Sequence, residues 1–200
     1  RPLWNMNPWR MQKKIKRLER KYDDLYFLLN NQFLKKVSGL VHVGANSGQE
    51  RFNYKALDLD VIWIEPIPYV YKKLSKNIKF IDKQVALKAL ITDKDDIEYE
   101  LKLTDNEGMS SSIFDLHLHK DIWPEIKNNK NIKIKSKTLE TIFKEQKINN
   151  DMFQALILDT QGSELLVLKG CKSILRKFKY VKTEASDFEA YKNCCQLKDI

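Results

Sequence analysis

Glu65 and Asp159 each follow a run of apolar residues, Val61-Ile62-Trp63-Ile64 and Ala155-Leu156-Ile157-Leu158. Short runs with no polar alternation read as strands buried on both faces. A carboxylate at the end of such a strand is costly unless it is paired or faces a cleft, so both positions point to a ligand site. A third run, Leu40-Val41-His42-Val43, ends in Gly44-Ala45-Asn46-Ser47-Gly48. The two glycines there allow positive φ and close backbone approach, and the next helix can offer N–H groups to a carboxylate. Taken singly, these features have plain explanations: a tight strand–helix turn, and a helix-start carboxylate beside Pro66. Together they say more. Glu65 stands 17 residues beyond Gly48, where a nucleoside-binding fold places an acid to accept hydrogen bonds from both ribose hydroxyls. The dinucleotide fingerprint G-x-G-x-x-G and the P-loop lysine are both missing. Without phosphate-cradling glycines, a sulfonium nucleoside fits better than NAD.

The block from Leu156 to Gly170 adds a third strand end. Asp159 closes the strand, Gly162 permits a sharp turn into the helix that carries Glu164, and Gly170 interrupts or caps that helix.

The elements that must position these residues alternate between strand and helix. After Gly48 a helix is predicted through about Leu57, and another from Tyr69 to about Ile78, where Pro66 and Pro68 stop the preceding strand. Lys83 to Ile91 can hold a third strand. Ile97, Tyr99, Leu101 and Leu103 alternate with polar residues, the pattern of a half-exposed antiparallel strand, and Ile132–Lys135 is similar. Helices are predicted for Thr138–Gln146 and Ser163–Arg176, and a further strand for Tyr180–Thr183. Residues 104–131 show no readable period. The expected fold class is therefore α/β, a mostly parallel central sheet with helices on both faces.

Composition narrows the function classes. The 200 residues are 42% hydrophobic with 6 Gly and 5 Pro, enough for a core and unlike a disordered chain. No apolar run approaches the ~20 residues of a membrane helix. Three cysteines, Cys194 and Cys195 adjacent, make no disulfide framework, so a reducing, cytoplasmic setting is expected. The net charge of +9 raises the question of a nucleic-acid partner, yet residues 1–40 alone carry +7 of it. The rest of the chain is nearly neutral, which disfavours a polyanionic substrate. In the basic segment Met11, Ile15, Leu18, Tyr22, Leu25 and Leu29 fall four and three apart, and Phe33 extends the stripe. This predicts a helix over much of residues 1–39, packing on its own domain or serving a homo-oligomer or partner protein, before a body at 40–200.

Val41–Glu50, Ile64-Glu65-Pro66, Ala89-Leu90, Ser110–Ser112, Thr138-Leu139-Glu140, Leu158–Gly170 and Glu184 together resemble the FkbM-type methyltransferases. The resemblance covers about residues 40–186 and is most specific in the Leu158–Gly170 block. It implies a Rossmann-like class I fold, S-adenosyl-L-methionine as cofactor, and O-methylation of a sugar in a glycan or of a secondary metabolite. By position, Gly44, Asn46 and Gly48 would lie along the methionine end, Glu65 at the ribose, Ala89 and Leu90 near the adenine, and Asp159 beside the transferring methyl. His42, also a cofactor-side position, replaces a frequent Asp. Gln161 replaces a frequent Glu and Leu158 a frequent Lys. Class I sheets usually end in a hairpin, and none is legible after Glu184.

A sugar hydroxyl is a poor nucleophile at neutral pH, and a positioned base should help. Asp159 is the first candidate and Glu184 the second. His117 and His119 come third, and their plainer reading is as surface loop histidines. No metal site is expected, since no Cys or third His completes one. Two alternatives stand beside this reading: a nucleic-acid methyltransferase, suggested only by charge, and a non-catalytic assembly module with a vestigial nucleotide fold.

Overall fold

A computed structural model describes residues 8–200 of the chain, which fall into two compact units that divide after Lys36. Residues 1–7 of the basic segment lie outside the described residues, as do the side chains of Met11 and Ile15. The first unit holds helix α1 (Pro8–Asn30), on which Leu18, Tyr22, Leu25 and Leu29 are exposed.

The second unit runs Val37–Ile200. Its five-stranded parallel sheet comprises β1 (Gly39–Val43), β2 (Asp60–Ile64), β3 (Gln84–Leu87), β7 (Ala155–Leu158) and β8 (Tyr180–Thr183), in the order β3-β2-β1-β7-β8. The helices between them are α2 (Arg51–Ala56), α3 (Pro68–Ile78), α5 (Leu139–Glu145) and α6 (Glu164–Lys169). Strands β1 and β7 are buried along their whole length, as their unbroken apolar runs require. One core cluster joins Val41, Val43, Ile62, Ile64, Leu156 and Leu158 to Leu139, Ile142 and Phe143 of α5 and Val167 of α6. Within the sheet His42 lies opposite Trp63 in register, and the two rings stack at 5.2 Å with Tyr54 of α2 beside them.

The chain leaves β1 in one direction through β2 and β3, and returns to β7 on the other side of β1. The strand order thus reverses between β1 and β7, the position at which open α/β sheets bind ligands.

Three expectations need correction. The strand expected over Lys83–Ile91 is two strands in different sheets: β3 pairs with β2, whereas β4 (Leu90–Ile91) joins β6 (Asn128–Lys137) and β5 (Glu98–Thr104) in a three-stranded sheet. Lys88 and Ala89 make the break, yet Leu87, Ala89 and Ile91 pack on one core cluster, so the apolar run passes from one sheet to the other over a shared core. The helix expected over Ser163–Arg176 stops at Lys169. Gly170 caps it, where a side chain would overlap the Thr92 carbonyl, and turns follow. His119 is not on the surface. It opens the short helix α4 (His119–Ile122), buried against Trp123 and Tyr191. Among the described residues no named strand comes after β8.

Candidate active site

Parallel pairing lines up the residues that end the strands. The Gly44 and Ala45 amides donate to the Ile64 carbonyl, the Glu65 amide to Leu87, the Asp159 amide to Val43 and the Glu184 amide to Leu158. Glu65, Gly44, Asp159 and Glu184 therefore form a row across the carboxyl edge of the sheet. Gly44 has φ +81°, and a Cβ there would overlap the Asp159 carbonyl oxygen, so only glycine lets β1 turn this close to β7.

Glu65 is buried, and each oxygen accepts one backbone N–H: Oε2 from Asn46 at 2.9 Å and Oε1 from Ile67 at 2.9 Å. Asn46 presents its amide from a left-handed turn, φ +43°. Burial pushes the Glu65 carboxyl up to about 7 against these two donors, with Asp159 adding to the rise. Two lone pairs of the carboxylate are left over, as recognition of a diol requires.

A cavity of about 200 Å³ opens here, with Gly44–Asn46, Glu65, Ala89, Leu90 and Asp159 in its wall. His42 lines it too, although its Nδ1 lies 3.2 Å from the Tyr54 hydroxyl and burial lowers its pKa to about 4, so the ring is neutral. Of the predicted residues, Gly48 is placed elsewhere. With φ +70° it packs toward Leu74 and Ile78 of α3, shaping the turn behind the cavity. The opposite wall is formed by the loop after β5, through Gly108, Met109 and Ser111–Ile113. That loop belongs to the stretch without a readable period.

The Asp159–Glu164 turn is built around a group that sequence reasoning assigned no task. Glu164 is buried, and its Oε1 accepts from the Thr160 and Gly162 amides at 2.8 and 3.2 Å. Gln161 has φ +53° and Gly162 φ +101°, so the chain reverses within two residues and Gln161 projects beside Asp159. Gln161 Nε2 donates to Asp159 Oδ1 at 2.6 Å and reaches Glu184 Oε2 at 3.4 Å. The Tyr191 hydroxyl lies 2.6 Å from Gln161 Oε1.

A second cavity, about 380 Å³, adjoins the first, with Met109 and Gln161 lining both. Its wall carries the rings of His119, Trp123, Phe188 and Tyr191 and the carboxylates Glu164 and Glu184; no Lys or Arg is among its described lining residues. His117 is half exposed, 3.4 Å from a Glu189 carboxylate oxygen and away from both cavities. Among the described residues no group of three His, Cys, Asp or Glu is arranged to hold a metal, and all three cysteines are free thiols.

A parallel sheet with a buried acid and a glycine turn at its reversal point defines a Rossmann-like protein. The family-level comparison makes this specific: residues 42–200 match the model of the methyltransferase FkbM domain. The chain belongs to that family and is a methyltransferase. No curated protein and no solved structure matches it. The match leaves α1 outside, and no helix among the described residues is long and apolar enough to cross a membrane.

Proposed function

We propose that this methyltransferase takes its methyl group from S-adenosyl-L-methionine and transfers it to a hydroxyl oxygen, of a sugar in a glycan or of a secondary metabolite. The observation that carries the reading is Glu65: a buried carboxylate at the second strand end, fixed by two backbone amides, with lone pairs left for a ribose diol. Gly44 and Asn46 would border the methionine end, Ala89 and Leu90 the adenine, and Asp159 the reacting methyl. His42 would contribute a neutral ring to the floor. The residues present suit such a group, because the turn holds no lysine for a pyrophosphate and the edge carries two carboxylates able to face a sulfonium.

When bound, the sulfonium supplies an already activated leaving group, so the protein's part is alignment and proton removal. Asp159 is the first candidate base and Glu184 the second. The acceptor would enter by the second cavity, whose four rings offer apolar faces to a hydroxylated ring while its side-chain amides and carboxylates orient the hydroxyls. That acidic wall suits a phosphodiester poorly, which argues against the nucleic-acid alternative. The three free thiols are in keeping with a cytoplasmic setting. A partner or second copy, where one is used, would meet the exposed leucines of α1.

Calorimetric titration with S-adenosylmethionine tests the reading. Wild type should bind and Glu65→Ala should lose most of the affinity. No heat for wild type, or unchanged binding by Glu65→Ala, overturns it. Transfer of labelled methyl to a glycan pool separates an enzyme from a vestigial module.

A further inference from the structure

Asp159 lines the first cavity, Glu184 the second, and Gln161 both. An acceptor hydroxyl coming from the second cavity toward a methyl donor in the first must pass this junction. A primary amide has two N–H hydrogens, and here each has a carboxylate to meet, Asp159 Oδ1 at 2.6 Å and Glu184 Oε2 at 3.4 Å. The Tyr191 hydroxyl, 2.6 Å from Gln161 Oε1 and 3.2 Å from the Ser110 carbonyl, can give its one hydrogen to the amide oxygen. The flipped amide would turn its oxygen toward two carboxylates, so this contact fixes which end faces them. The backbone is held as well, by the Ser112 hydroxyl donating to the Gln161 carbonyl at 2.7 Å.

We propose that Asp159 and Glu184 form a single base: a carboxylate pair, bridged and oriented by Gln161, that takes the acceptor hydroxyl's proton between its two members. The proposal rests on the methyl-transfer reading above. It makes Gln161 and Tyr191 positioning residues, the second acting through the first. In the transfer step the acceptor oxygen forms its new bond to the methyl carbon as the methyl–sulfur bond breaks, that electron pair staying on sulfur. The hydroxyl proton passes to the ionised pair, which changes from two negative charges to one shared proton and one negative charge.

The surroundings favour such sharing. Both carboxylates meet the one amide nitrogen of Gln161, and the Asp159 charge this near disfavours ionisation of Glu184. Facing them are His42 of β1, whose ring is neutral, Glu65 after β2, Glu164 at the start of α6, and Tyr191 of the C-terminal segment. Cys195 lies against Glu164 as a thiol whose pKa burial raises. Lys182 on β8 acts electrostatically on His42 and Glu50. Burial and the Asp159 charge push Glu184 up to about 7, while Gln161 pulls the other way. A pair with that proton affinity can both hold and release a proton near neutrality.

The test needs neither acceptor nor cofactor. In the full chain carrying ¹³C-labelled carboxyls, NMR titration should show the Glu184 resonance titrating near neutrality. Asp159→Asn removes the neighbouring charge and should lower the Glu184 step, which stays above the ordinary carboxylate range because burial remains. Gln161→Leu removes a donor to the ionised pair, so the Glu184 step should move higher. Tyr191→Phe should produce a smaller shift in the same direction, one that a purely structural role would not cause. A single ordinary step for Glu184, indifferent to Asp159→Asn, overturns the pair while leaving the cofactor reading intact. Failure of wild type to bind S-adenosylmethionine by calorimetry overturns both.

Discussion

Glu65 shows what one side chain must reconcile. Its carboxylate is buried and desolvated, yet under the proposed function it would have to be ionised to accept two hydroxyl hydrogens on the lone pairs its backbone donors leave free. With the carboxyl pushed up to about 7, cofactor affinity should fall as pH drops below that value, because protonation converts an acceptor into a donor. Glu65→Gln should weaken binding ~10–100-fold, the worth of a hydrogen bond to a charged group (about 1.5–3 kcal/mol), and should remove the pH dependence. Calorimetry at pH 6, 7 and 8 on both proteins checks this; an affinity that is flat across that range in wild type counts against it. At this scale the sequence was legible wherever a polar residue interrupted an apolar run. Glu65, Asp159 and Gly44 announce themselves in that way. Glu164 and His119 do not: Glu164 caps two amides of its own turn only once Gln161 and Gly162 have taken up positive φ, and His119 packs on Tyr191 far along the chain.

Among the elements, turns and caps separate what is replaceable from what is not. Helix α5 starts at Thr138, whose Oγ1 accepts the Thr141 amide at 3.1 Å. Thr138→Ala should cost about 1 kcal/mol, the ordinary loss of an N-cap, and leave cofactor binding alone. Gly44→Ala should cost more, roughly 2–5 kcal/mol, since left-handed strain adds to overlap with the Asp159 carbonyl. It should also weaken cofactor binding by pushing β1 and β7 apart where the cavity lies. Urea unfolding of both variants ranks them, and equal costs would mean that the β1–β7 approach is not tight. The break between β3 and β4 belongs to this scale too. Residues 83–91 look like one apolar strand because periodicity registers burial without saying which sheet does the burying.

For the molecule as a whole, the raised carboxyls set the direction of its pH dependence. Burial lifts Glu65 and Glu184 from 4.5 to about 7, so between these values the folded chain holds protons that the unfolded chain has released, and stability falls as pH rises. His42, lowered from 6.5 to about 4, has the opposite sign below 6.5, since there the unfolded chain binds the extra proton. The net fall should therefore be steepest between about 6.5 and 7 and level off above. Asp95 and Glu98, held below their ordinary values by hydrogen bonds to Thr138 and Lys133, lose their contributions only in more acid solution. Urea midpoints measured from pH 5 to 8 should show this shape, and Glu184→Gln should make the fall shallower. A midpoint that rises through that interval would contradict the assignment.

The sequence by itself determined the parallel α/β class, the strand ends that carry chemistry and the concentration of positive charge in residues 1–40. Each depends on local pattern: unbroken apolar runs, glycines at turns, and composition. Tertiary structure alone decided that the loop after β5 closes over the sheet edge, that a second cavity with an aromatic and acidic wall adjoins the first, and that Gln161 bridges Asp159 to Glu184. Those features join segments far apart in the chain, Asn106 with Cys195 in the second cavity, with no period of their own. Their order comes from the surfaces they meet, and a linear sequence carries no direct record of which surfaces those are.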